Sequence, residues 1–151
     1  MKRPELARSA IKHMTVDHVE LHIPTSVPHG DLPLWLNAAD AVLLTSRHEG
    51  SPNIVKEALA CNVPIVSVPV GDVPDRLAGL TGCHVVQDNP EALARALDDV
   101  LRGRGRIESR ARVAALSLDR VAQEITELYS QAVRGRNQSR CPNSPGVQGN
   151  Q

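Results

Sequence analysis

Phenylalanine is absent from this sequence, and Trp35 and Tyr129 are its sole tryptophan and tyrosine. A core must therefore be assembled from Val, Leu, Ile and Ala, which suits alternating strands and helices. An excess of either charge is missing too. Lysine plus arginine and aspartate plus glutamate number seventeen each, so no electrostatic footprint points to nucleic acid or to an acidic membrane surface. Cysteine is scarce: Cys61, Cys83 and Cys141 are widely spaced with no CxxC pair, which argues against a disulfide framework and against a zinc site. No apolar run reaches membrane-spanning length, and MKRPELARSA lacks the apolar centre of a signal peptide. The expectation is a soluble, cytoplasmic chain with no nucleic-acid partner and no transmembrane segment. At 151 residues it holds one domain with a real core, which buries roughly two thirds of its unfolded surface.

The sequence alternates between two periodicities. Pro4 to His13 reads as a helix with proline near its first turn. Val16 to Ile23 reads as a strand, because Val19, Leu21 and Ile23 alternate with His18, Glu20 and His22. A Pro/Gly/Ser-rich stretch from Pro24 to Gly30 leads to a short helix capped by Asp31 and carrying Leu34, Trp35 and Leu36. Ala41 to Thr45 and Ile65 to Val68 are apolar or β-branched runs, typical of strands buried on both faces of a parallel sheet. Between them a helix is predicted from Pro52 to Ala60, with Ser51 as N-cap and Pro52 at its first position, stopping at Cys61-Asn62. His84 to Gln87 is one more strand, Pro90 to Leu101 a helix capped by Asn89, and Leu118 to Val133 a longer helix. From Gly135 onward apolar residues nearly vanish, so residues 135–151 are expected to be a disordered tail. The alternation implies an α/β fold, a Rossmann-like parallel sheet with helices on both faces. Ligands of such sheets bind beyond the carboxyl ends of the strands.

That rule directs attention to Ser46–Ala60, SRHEGSPNIVKEALA. It sets a carboxylate, a glycine turn and a helix start directly after a buried strand. Gly50 lets backbone approach a ligand, and the free N–H groups of Asn53 and Ile54 concentrate partial positive charge where a phosphate can sit. Glu57, one turn beyond Asn53, can accept hydrogen bonds from vicinal hydroxyls such as those of a ribose. On spacing alone, a capped first turn and a solvated helix face would explain both Glu49 and Glu57.

The stretch LPLWLNAADAVLLTSRHEGSPNIVKEALACNVPIVSVPVGDVPD resembles the signature region of family 4 retaining glycosyltransferases, including an E-x7-E motif formed by Glu49 and Glu57. The resemblance implies the C-terminal half of a GT-B fold, spanning residues 1–134 and incomplete at its N-terminus. It assigns Glu57 to the nucleotide ribose and Glu49 to the donor sugar, with these two as the catalytic pair. Gly50, Ser51, Pro52, Asn53 and Ile54 would hold the donor phosphate and sugar. KRPELA is similar to a segment whose lysine contacts the diphosphate, making Lys2 a candidate, while an arginine just upstream of that lysine in the family has no counterpart. Gly71 in the VGDVP loop belongs either to the site or to a simple turn. VAQEITELYSQAV is similar to the family's closing helix. The implied chemistry is retaining transfer of a sugar from a nucleotide diphosphate sugar to an acceptor hydroxyl on a saccharide, lipid or other compound, with no obligatory metal and no cofactor. The acceptor would be held by a missing N-terminal domain, and the full-length enzyme could sit peripherally on a membrane. The alternatives are a noncatalytic nucleotide-binding or interaction remnant and a GT-B-type sugar-nucleotide epimerase.

Other residues admit plainer readings. His18, Glu20 and His22 imitate metal ligands but are expected on any half-exposed strand. His29 and His48 lie in loops on the ligand side, where histidines are usually solvated. Lys56 can add charge near the phosphate, though a helix-surface lysine is commoner; Trp35 is more often core than a base-stacking platform; and Arg102, Arg104, Arg106, Arg110 and Arg112, diluted by acidic neighbours, read as a solvated face.

Overall fold

A computed structural model describes residues 2–103 and 105–138. The expected tail lies outside them beyond Gln138, as do Arg104 and Cys141. Two compact units divide the chain, one ending at Ala114 and the other beginning at Ala115.

In the first unit the sheet has three parallel strands in the order β1-β2-β3, namely Val42–Leu44, Ile65–Ser67 and His84–Val85. Around it lie α1 (Pro4–Lys12), α2 (Leu32–Ala38), α3 (Asn53–Ala60), α4 (Val73–Leu77) and α5 (Pro90–Gly103). The two central-strand residues Ile65 and Val66 are fully buried, and Val55, Leu59 and Leu93 complete the centre of the core. An all-aliphatic interior of this kind is what the aromatic-poor composition predicts.

Helix ends show which local signals decide. Asn89 Oδ1 accepts the Ala92 amide at 2.8 Å, the N-cap bond expected at the start of α5. α3 stops because Asn62 takes up a left-handed φ of 57°, a conformation asparagine tolerates. Its side chain then serves the segment that follows α5: Asn62 Oδ1 accepts the amides of Ser109 (3.2 Å) and Arg110 (2.9 Å). Ser109 Oγ donates to Leu59 O at 2.8 Å and Arg110 Nε to Ala60 O at 2.8 Å. The exposed ends of α3 carbonyls are thereby satisfied by chain fifty residues away in sequence.

Several expectations need correction. Val16–Ile23 has no regular strand structure, because a strand requires a hydrogen-bonded neighbour and none adjoins it. Asp31 and Ser51 do not cap: α2 begins without a side-chain cap bond, and the N-cap of α3 is Pro52, so that helix starts at Asn53. Trp35 is not core but 46 % exposed, edge-on to His22 at 5.9 Å between ring centroids. The arginines are more than a solvated face: Arg106 donates to the carbonyls of Leu36 and Asn37 and Arg102 to Thr15 Oγ1. α4 and a 3₁₀ segment, Arg110–Leu116, were not foreseen.

Asp98 organises the opposite side of the unit. Buried at 5 % exposure, it accepts the Thr15 amide, the Thr15 hydroxyl and the Val16 amide at 2.7–3.1 Å. Burial alone would raise its carboxyl, but these bonds and the charge of Arg102 outweigh it and hold the group below the usual carboxylate range.

The second unit holds α6, Leu118–Gln138, which runs past Gly135, where the tail was expected to begin. Leu118, Val121, Ile125 and Leu128 follow one another at helical spacing and are exposed.

Candidate functional site at the carboxyl edge of the sheet

β1 ends at Leu44, and the chain leaves the sheet through buried Thr45 and Ser46 into the loop 47–52. Arg47, His48, Gly50 and Ser51 are exposed and Glu49 is half-buried. Pro52 is buried with an extended ψ of 125° and turns the chain into α3. Proline carries no N–H and its side chain cannot cap, so no side chain accepts from the first amides of this eight-residue helix. Asn53 and Ile54 therefore present N–H groups at the positive end of the helix dipole. A Cβ placed on Gly50 would meet nothing within 4 Å, so the loop faces open space there.

Two cations frame this helix start. Lys56 Nζ donates to Ser51 O and to Asn53 Oδ1, both at 3.2 Å, so it folds back over the loop instead of extending from the helix surface. Arg76, from α4, donates through Nη2 to Ser51 Oγ at 3.2 Å and through Nε to Asp72 Oδ2 at 2.7 Å. Desolvation pushes the Asp72 carboxyl up, but the Ser51 hydroxyl and Arg76, with Lys56 beyond, leave it below the usual carboxylate range. Sequence reasoning missed Arg76. The available signal was Asp72 four residues ahead of it in the turn after β2, an i,i+4 ion pair.

Gly71 has a φ of 53°, which only glycine adopts without strain in this setting, and the Asp72 amide next to it donates to Gly50 O at 2.9 Å. The turn after β2 is thus seated directly on the loop after β1. Gly71 is a turn and a close approach at once.

Glu57 lies on the second turn of α3, half-buried, with Oε1 4.0 Å from Nδ1 of His29. His29 is 91 % exposed and opens the 3₁₀ turn His29–Asp31, so the loop ahead of α2 comes alongside the carboxylate. The structure thereby brings Glu57 to His29, and it brings Gly50, Ser51 and Gly71 together with Lys56 and Arg76. Among the described ion pairs and hydrogen bonds none joins Glu49 to Glu57.

At the amino end, Lys2 is exposed and its neighbour Arg3 is the anchor. Arg3 Nε donates to Thr45 O at 2.7 Å, Thr45 Oγ1 donates back to Arg3 O at 2.9 Å, and Arg3 Nη1 pairs with Asp88 at 2.6 Å. This residue fastens the Lys2 segment to the end of β1 and to the loop after β3. The sequence offered no cue for it beyond its place beside Lys2.

A parallel sheet with helix-covered faces, whose loops converge at the carboxyl edge on an uncapped helix start, is a Rossmann-like unit of the GT-B kind. In agreement, the structure superposes on sucrose-phosphate synthase from Thermosynechococcus elongatus with a TM-score of 0.67 at 23 % identity, covering 76 % of this chain and 30 % of that one. The profile of the family "Glycosyl transferases group 1" matches residues 2–103, and the chain belongs to that family. Similar relatives include D-inositol 3-phosphate glycosyltransferase of Frankia alni, 34 % identical over 96 residues, which are 63 % of this chain and 23 % of that protein. The putative teichuronic acid biosynthesis glycosyltransferase TuaC of Bacillus subtilis is 36 % identical over 77 residues, 50 % of this chain and 20 % of that one. The chain thus spans about a quarter or less of the length of these two relatives. Among the described residues no helix is long and apolar enough to cross a membrane.

Proposed function

We propose that this chain binds a nucleotide diphosphate sugar and contributes the donor half of a retaining glycosyl transfer to an acceptor hydroxyl. The observation that carries the reading is the start of α3. Its amides have no side-chain cap, the loop before it is open at Gly50, and Lys56 and Arg76 both bond Ser51 beside it. A diphosphate fits that combination, because peptide N–H groups and fixed cations hold its charge without reorganisation.

Each residue then has a task. The amides at Asn53 and Ile54, with Gly50, Ser51 and Pro52 shaping the approach, hold phosphate and sugar. Lys2 adds charge to the diphosphate from the amino end, and Gly71 keeps the neighbouring turn out of the way. Glu57 accepts the ribose hydroxyls beside His29, and Glu49 faces the donor sugar. When the glycosidic bond to phosphate breaks, negative charge grows on the departing oxygen, and the same amides and cations stabilise it more than they stabilise the ground state. No covalent intermediate on either glutamate is needed. The acceptor, a saccharide, lipid or other hydroxyl compound, would dock on a further domain, and the location of the complete enzyme would be cytoplasmic or at a membrane surface.

Calorimetric titration with UDP, GDP and their sugars tests the donor site directly. Heat of binding with at least one diphosphate nucleotide, weakened by Glu57→Gln, is the expected result. No binding to any of them would remove the reading.

A further inference from the structure

The ion pair between Asp72 and Arg76 does more than decorate a short helix. α4 is pinned by Val73 and Leu77, both buried, so the guanidinium of Arg76 starts from a fixed place. Its Nε donates to Asp72 Oδ2 at 2.7 Å, and its Nη2 crosses to the loop after β1, where it donates to Ser51 Oγ at 3.2 Å. Among the described hydrogen bonds none occupies Nη1. The side chain is 25 % exposed, so that free corner reaches solvent.

An ion pair within one short helix contributes little to stability, and it does not require the reach to Ser51. The placing of Asp72 is unexpected for another reason. A carboxylate beside a site for an anion opposes binding through like-charge repulsion. Asp72 nevertheless stands there, its amide bonded to Gly50 O at 2.9 Å. Both facts have one explanation if the carboxylate grips one edge of the guanidinium and thereby keeps the other edge turned toward the loop.

We propose that Arg76 is a specificity-determining residue of the donor site, reading the second phosphate of a nucleoside diphosphate, and that Asp72 is its positioning residue. This assignment rests on the donor reading above. With the ribose at Glu57, on the second turn of α3, the first phosphate passes the amides of Asn53 and Ile54 and the second comes to Ser51, two residues ahead of the helix. There a phosphate oxygen replaces the Ser51 hydroxyl on Nη2 and a second oxygen takes Nη1, while Nε stays on Asp72. The exchange is favourable because a bidentate, charge-assisted pair is stronger than a single bond to a neutral hydroxyl. Lys56 cannot substitute for it. Its ammonium is a point charge already bonded to Ser51 O and Asn53 Oδ1, and it lacks the planar fork.

The test is calorimetric titration of the full chain with UMP, UDP, GMP and GDP. The parent should bind the diphosphate of at least one base more tightly than its monophosphate. Arg76→Ala should lower diphosphate affinity roughly ten- to hundredfold, the range of a charge-assisted hydrogen bond, and leave monophosphate affinity within about threefold. Arg76→Lys should restore only part of the loss. Asp72→Ala decides by sign. Removal of a negative charge would by field alone tighten diphosphate binding, whereas loss of positioning weakens it, and in the Arg76→Ala background the same substitution should no longer weaken it. Circular dichroism checks the fold, and Arg76→Gln replaces the alanine variant should that one unfold. Equal parental affinity for mono- and diphosphates, an equal loss for both on removing Arg76, no loss for either, or tighter binding by Asp72→Ala would each overturn the assignment and leave the donor reading standing. A parent that binds none of the four nucleotides removes both.

Discussion

Gly71 is pressed so closely against Gly50 that a Cβ on Gly71 would stand 2.2 Å from the Gly50 carbonyl oxygen and 2.8 Å from that of Glu49. Both obstructing atoms are backbone, so neither can swing aside. Gly71→Ala should therefore cost about 2–4 kcal/mol from overpacking and the left-handed φ together. It should also displace the loop carrying Glu49 and weaken diphosphate-nucleotide binding. Thermal unfolding and calorimetry on one preparation check both effects; an unchanged melting temperature would contradict the steric account.

The two glutamates should separate by ligand. On the proposed donor reading, Glu57→Gln removes the charged acceptor offered to the ribose, and a charge-assisted hydrogen bond of about 1.5–3 kcal/mol predicts a loss of roughly ten- to hundredfold in nucleotide affinity. Glu49→Gln should leave binding of the plain nucleoside diphosphate within a few-fold and reduce only the extra affinity contributed by the sugar. Equal losses with and without the sugar would show that the roles are not divided in this way.

Asp98 gives a pH dependence whose sign is fixed. Its carboxyl lies below the usual range in the folded chain, so its contribution is complete above the unfolded value of about 3.9 and disappears as pH falls through the lower folded value. Asp98→Asn should unfold more easily at neutral pH, by about 2–4 kcal/mol, because Thr15 and Val16 lose their charged acceptor. The gap between the variant and the parent should narrow in acid. Denaturant melts at pH 7 and pH 3 measure it.

Asn62 joins a backbone role to a side-chain role, and substitutions can divide them. Asn62→Gly keeps the left-handed turn but loses the acceptor for Ser109 and Arg110, costing about 1–2 kcal/mol. Asn62→Ala loses both and should cost about 1 kcal/mol more. Equal melting temperatures for the two variants would mean that φ at this position carries no strain.

Arg3 separates charge from geometry. Arg3→Lys retains a cation but cannot bond Thr45 O and Asp88 together. Affinity for a diphosphate nucleotide should fall several-fold, while a nucleoside lacking phosphate binds as before. A parallel loss for both ligands would place the effect in folding.

Much of the fold was legible because its signals are local. Pro4, Asn89 and Cys61-Asn62 each mark a helix limit by the bonding of one or two residues, and buried parallel strands announce themselves as continuous aliphatic runs. Val16–Ile23 misled because alternation records which face a segment turns inward, not whether a neighbour exists to pair with. Ser51 misled because a proline after serine fits a capped first turn, whereas here Pro52 itself takes the N-cap position and α3 begins one residue later. The loop and helix start of the candidate site could be read from EGSPN, since a glycine, a proline and a strand end leave few geometries open. Arg3, Arg76, Arg106 and Arg110 could not, because what a long cationic side chain reaches depends on which loops the tertiary structure brings near it.

The bonds that Arg3 makes to Thr45 and Asp88 have a mechanical meaning. The first helix, the turn leaving β1 and the turn leaving β3 meet on one guanidinium, so none of the three can shift without straining the others. Binding at the proposed site should therefore stiffen the beginning of α1 and the stretch around Asp88 along with the loop after β1. A probe attached beside Asp88 would report occupancy without standing among the residues proposed to hold the donor.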